Sequence, residues 1–171
     1  LTEVQCRFVA NADPAVDLEK WRECHNPGDM SALRDRVALC YDVSMDGLHA
    51  TLYAAAKESE ETVRIEPINA WTGRTAAQEL ANALPQEIAR VKPRVVGWFP
   101  SGPAAAIAAE MEERTGWPPR RVKFEAIVGD VSAACMGFAD LVASVKIAHS
   151  DDPLLNAHIE SAERLVTGDK W

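Results

Sequence analysis

Apolar and polar positions change rhythm several times along this chain of 171 residues, and the changes predict its elements. Over residues 36–43, Val37, Ala38, Leu39, Cys40 and Tyr41 form a short apolar run, the mark of a strand buried on both faces. Met45-Asp46-Gly47 supplies a turn, and residues 48–57 resume with β-favouring Thr51 and Tyr53. A charged turn leads to a third strand at 62–71, with Val63, Ile65 and Ile68 inward and Glu66 facing solvent. Leu80, Leu84 and Ile88 then fall on one face of a helix over 75–91, which Pro85 is placed to kink or split. After Lys92-Pro93, residues 94–99 read as a fourth strand, 104–115 as an Ala-rich helix and 122–128 as a fifth strand. Asp130 or Ser132 caps a helix reaching about Val145, and Asp151-Asp152-Pro153 opens a last one over 154–166. Near the start, Asp13-Pro14 has the form of a helix opening, with Val16, Leu18 and Trp21 on its apolar side.

Three strands joined by short turns, then helix, strand, helix, strand and helix, make a mixed α/β plan. The first three strands pair antiparallel, and strands one, four and five run parallel through helical crossovers. The ends of those three share one edge, where sites in open α/β sheets assemble. Asp42 stands at that edge. A carboxylate there is costly to desolvate unless a cation binds it, and a divalent metal is the obvious candidate.

Composition narrows the function. With 47% hydrophobic residues the chain is an ordinary globular one, and no apolar run approaches the roughly 20 residues that cross a bilayer. Cys6, Cys24, Cys40 and Cys135 include no C-x-x-C pair and read as reduced intracellular thiols. A net charge of −8 is not that of a typical nucleic-acid binder, yet Arg120, Arg121 and Lys123 cluster and suit a phosphate backbone. No phosphate-binding G-x-x-x-x-G-K-[ST] loop occurs, and Ser101 lacks the G-x-S-x-G frame of a hydrolase nucleophile. Starting at Leu1 and stopping at Trp171, the chain reads as a piece of something longer.

Four segments in order carry a family resemblance. They are Leu18-Glu19-Lys20-Trp21; Leu39-Cys40-Tyr41-Asp42-Val43-Ser44 with Asp46-Gly47; Gly97-Trp98-Phe99-Pro100-Ser101-Gly102-Pro103; and Ala134-Cys135-Met136-Gly137-Phe138 through His149-Ser150-Asp151-Asp152-Pro153. With them the chain resembles the C-terminal nuclease domain of tailed-bacteriophage terminase large subunits, which is ribonuclease H-like. The resemblance implies a mixed five-stranded sheet flanked by helices. It implies a linker and helix over 1–35 leading from a packaging ATPase domain of the same polypeptide, and a nuclease domain over 36–171. Its implied activity is cutting concatemeric double-stranded viral DNA with Mg²⁺ or Mn²⁺, two ions in the active complex, held by acids. The small terminase subunit and the portal are the implied partners, the host cell cytoplasm the implied location, and no membrane is involved. The position where the fold usually carries a second acid, at the end of strand four, holds Pro100 and Ser101.

Each candidate residue has a functional and a plainer reading. Asp42 is the leading metal ligand and catalytic acid; as a plain strand-end acid it would bond to backbone amides. Asp46 is a second ligand or a turn former. Asp130 and Asp152 are catalytic carboxylates and metal ligands, or helix caps. Arg120, Arg121 and Lys123 hold the DNA backbone, or form a solvated strand entry. His149 and His158 match no zinc spacing. Two alternatives stand beside the endonuclease: a docking or regulatory module with a decayed site, and another ribonuclease H-like enzyme such as a junction resolvase.

Overall fold

A computed structural model describes residues 13–164. Six strands form one sheet in the order β5-β4-β1-β2-β3-β6. β1 (Ala38–Val43), β2 (His49–Lys57) and β3 (Val63–Thr72) make an antiparallel meander, and β4 (Val95–Trp98) and β5 (Lys123–Ala126) extend it in parallel beyond β1. The sixth strand, β6 (Ile147–Ala148), pairs parallel with β3 at Val63 and Arg64. The expected five strands are all present; β6 has only two residues, too few to leave a period in the sequence.

Alternation decides what the sheet buries. On β1 and β2, Leu39, Tyr41, Val43, Leu52 and Ala54 point to one face. That face is covered by α2 (Ala76–Val91) through Leu80, Leu84 and Ile88, and by α3 (Gly102–Glu112) through Ile107 and Met111. Pro85 does not split α2: the helix is continuous from Ala76 to Val91, its buried face outweighing the roughly 3 kcal/mol that an interior proline costs. It stops where Lys92 turns left-handed, φ 56°, just before Pro93.

Among the described residues the opposite face is covered over β3, β6 and Tyr53 of β2. There α1 (Leu18–Glu23), α4 (Val131–Ala143) and α5 (Pro153–Ser161) gather Val16, Trp21, Val142, Ile147 and Leu155 into a second, smaller cluster. Asp17, not Asp13, opens α1, its carboxylate accepting from the amides of Glu19 and Lys20 at 2.9 and 3.1 Å. Trp21 stacks on buried His149 with ring centroids 4.0 Å apart, and the imidazole bonds to the Trp21 carbonyl at 2.9 Å. Arg64, 1% exposed, is held by Glu58 at 3.1 Å, Glu66 at 3.0 Å and the Asn26 carbonyl at 3.1 Å. Glu66 therefore faces a buried guanidinium, not solvent as its alternation suggested. Of the last predicted helix, residues 165 and 166 lie outside the described residues, and the helix itself ends at Ser161.

Candidate active site at the strand ends

β1, β4 and β5 all deliver their C-terminal ends to one edge, so the loops after them line one groove of about 570 Å³. Asp42 and Ser44 come from β1 and its turn, Phe99 to Ser101 from the β4–α3 turn, and Val128, Gly129 and Val131 from the β5–α4 connection. Gly102 starts α3 at φ +63°, a conformation that favours glycine, and the exposed Met45 side chain of the β1–β2 turn reaches over it, its sulfur 3.0 Å from where a Cβ would be.

Asp42 is the penultimate residue of β1, pointing away from the face that buries Tyr41 and Val43. Its carboxylate is exposed and, among the described residues, takes no hydrogen bond or ion pair. Its charge reaches Cys40 on the same sheet face, where burial first and Asp42 second push the thiol up to about 11. Tyr41, on the other face, is pushed up chiefly by burial and donates to the Ala104 carbonyl at 3.2 Å, tying β1 to α3.

The other acids named from the sequence are occupied locally. Asp46 accepts from the Ser44 hydroxyl at 2.6 Å and the Leu48 amide at 3.0 Å; the hydroxyl above all holds its carboxyl below the ordinary carboxylate range. Asp130 stands between Gly129 and Val131, which line the groove, and caps α4, accepting from the Ser132 amide at 2.9 Å. Asp152 follows β6 at the other border of the sheet and caps α5, accepting from Leu154 and Leu155 at 2.8 and 3.2 Å. The connection through α4 carries it away from β1, and its charge acts instead on Tyr53, which burial first and Asp152 second push up to about 12. No group of three His, Cys, Asp or Glu side chains able to hold a metal ion forms among the described residues.

The basic cluster is at the other end of the strands. Lys123 pairs in register with Val95, and Val95 with Ala38, four residues and about 13 Å along β1 from Asp42. Arg120, Arg121 and Lys123 are all exposed there, and Lys123 lies 3.7 Å from Glu125. Glu125 alternates with apolar neighbours along β5 and is solvent-facing, as that alternation implies. It is exposed but lies over Gly97 on the same face as Cys40 and Asp42, beside a second groove of about 670 Å³. Only the strand register reveals this, because no local pattern tells which face of β5 a partner strand will share.

No protein-family model matches the chain, and no curated protein sequence does. Solved structures do. The large terminase of bacteriophage HK97 superposes with a TM-score of 0.63 at 11% identity, over 84% of this chain and 35% of that one. The large terminase of a thermophilic bacteriophage gives 0.63 at 14%, over 91% of this chain and 39% of that one. The human cytomegalovirus terminase nuclease domain, Mn-soaked and inhibitor-bound, gives 0.55 at 12%, over 88% of this chain and 87% of that one. The fold is thus ribonuclease H-like, the fold of terminase nuclease domains. The chain spans little more than a third of the length of the two phage proteins. No helix among the described residues is long and apolar enough to cross a membrane.

Proposed function

We propose that the chain is the nuclease domain of a DNA-packaging terminase, a divalent-metal-dependent endonuclease that cuts concatemeric double-stranded viral DNA. The observation that carries this reading is Asp42: an unengaged carboxylate at the end of the central strand, in a groove at the parallel strand ends of a terminase nuclease fold. As part of a packaging motor it works beside an ATPase domain of the same polypeptide, with a small terminase subunit and a portal, in the host cytoplasm.

The donor set fits a hard cation in part. Asp42 offers the oxygen that Mg²⁺ or Mn²⁺ prefers, and Mg²⁺ commonly takes one or two carboxylates, with water and substrate phosphate completing its shell. A cation bound there would stabilise charge on the phosphodiester under attack. Asp42 anchors it, Asp130 comes from the β5–α4 connection whose Gly129 and Val131 line the groove, and Ser44 and Ser101 bring hydroxyls to the groove. Asp46 serves by holding the turn after β1. Arg120, Arg121 and Lys123, at the far end of the strands, hold backbone phosphates away from the cut and so position DNA without reading bases.

A second reading is favoured by one observation, that no three-ligand cluster forms around Asp42 among the described residues. On it the domain docks within the packaging motor without cutting. Supercoiled plasmid incubated with the protein and Mn²⁺ or Mg²⁺ separates the two. Metal-dependent nicking lost in Asp42→Asn supports the endonuclease; no nicking under either metal, or equal nicking by both proteins, leaves the docking reading.

A further inference from the structure

Basic residues far apart in the sequence meet at the edge of the sheet opposite Asp42. The entries to β4 and β5 lie side by side there, because the Lys123 amide donates to the Arg94 carbonyl at 2.9 Å. The Arg94 amide in turn donates to the Val37 carbonyl at 2.8 Å, which brings in Arg36 at the entry to β1. Arg36, Lys92, Arg94, Arg120, Arg121 and Lys123 are all exposed along this edge, across two strand spacings or about 10 Å.

Their surroundings set them apart from the other cations. Lys20, Arg90, Arg114 and Lys146 each have an acid of their own at 2.5–3.5 Å. On the edge, the side chains of Lys92, Arg94, Arg120 and Arg121 take no hydrogen bond or ion pair among the described residues. Arg36 and Lys123 have exposed acids, Asp35 and Glu125, at 3.7 Å, contacts worth little in water. Like charges gathered on one edge repel, and being exposed they return no burial for it. A chain of net charge −8 with its unpaired cations gathered there draws a polyanion from that side. Cations strung over about 10 Å suit a repeating charge, and duplex DNA carries one per roughly 1.7 Å of its axis, in phosphates that arginine forks bind in pairs. We infer that this edge is a holding site for duplex DNA that works without metal and without Asp42, with Arg36, Lys92 and Arg94 joined to Arg120, Arg121 and Lys123. The inference rests on the nuclease reading for its ligand and deepens it: the edge retains the duplex, and the groove at the other end of β1 cuts.

The test titrates the chain against a fluorescent duplex of about 20 base pairs in EDTA, by anisotropy, from about 50 to 200 mM salt. The logarithm of the association constant falls against that of salt with a slope of about −3 or steeper, and Asp42→Asn binds as the parent does. Arg94→Gln and Arg36→Gln each bind about fivefold more weakly at the lowest salt and flatten the slope by about 0.9, and Arg94→Lys restores both. Arg22→Gln, which removes an exposed cation on α1, changes neither. In plasmid nicking, Arg94→Gln raises KM and leaves kcat within about twofold. A slope shallower than about −1, or indifference to both Arg94→Gln and Arg36→Gln, overturns the site. So does displacement of the duplex by polyglutamate at equal charge, which gives the edge to an acidic polypeptide. Edge-dependent binding without nicking defeats the nuclease reading alone, and nicking without such binding defeats this one alone.

Discussion

Arg64 and Asp42 sit on neighbouring parts of one sheet and are treated in opposite ways. The guanidinium is buried, and two carboxylates and a carbonyl surround it; the carboxylate is exposed and nothing among the described residues answers it. A buried charge has to be compensated or the fold does not form, so the surroundings of Arg64 report on stability. Asp42 needs no compensation, so stability does not explain why an acid ends the central strand. The contrast separates charges that hold the protein from a charge available to something else.

The largest effect expected is on the compensated side. Arg64→Met leaves Glu58, Glu66 and the Asn26 carbonyl without their partner and costs about 3–5 kcal/mol in chemical denaturation. Next, Asp42→Asn lowers metal-dependent nicking at least about 100-fold while its unfolding free energy stays within about 0.5 kcal/mol of the parent. A large loss of stability in that variant would break the comparison. Asp152→Ala removes the α5 cap and costs about 1 kcal/mol, with nicking retained; if nicking disappears while Asp152→Asn restores stability but not cutting, Asp152 rejoins the site. The smallest effect belongs to Asp46. Its charged form is favoured in the folded protein, chiefly by Ser44. The stabilisation is therefore present above the ordinary carboxyl value of 3.8 and fades as pH falls through the lowered one. Asp46→Asn flattens the acid limb of the stability curve below about pH 4, as urea titrations across pH would show.

What the sequence disclosed follows the range of the forces involved. The meander, the crossover helices and the parallel placement of β1, β4 and β5 rest on local periodicity and short turns, and they are all found. The place of Asp42 at a strand end was legible for the same reason, because an acid ending an apolar run is a local signal. Which acids would lie near it was not. Asp130 and Asp152 have identical local grammar, an acid two residues or fewer before a helix, and that grammar describes a cap whether or not the residue also meets a metal. Glu66 and Glu125 alternate with apolar neighbours alike, yet one pairs with buried Arg64 and the other stays exposed beside the larger groove. Register and burial separate them, and both are properties of the assembled sheet. The α1 start moved from Asp13 to Asp17 because Pro14 and Ala15 pair instead with Glu163 and Ala162.

The two borders of the sheet carry a consequence for how the protein behaves when concentrated. β6 offers two residues and β5 four, the latter studded with Lys123 and Glu125, so neither rim presents a long flat ladder to a stranger. Crowding therefore finds no template here for fibre-like strand addition.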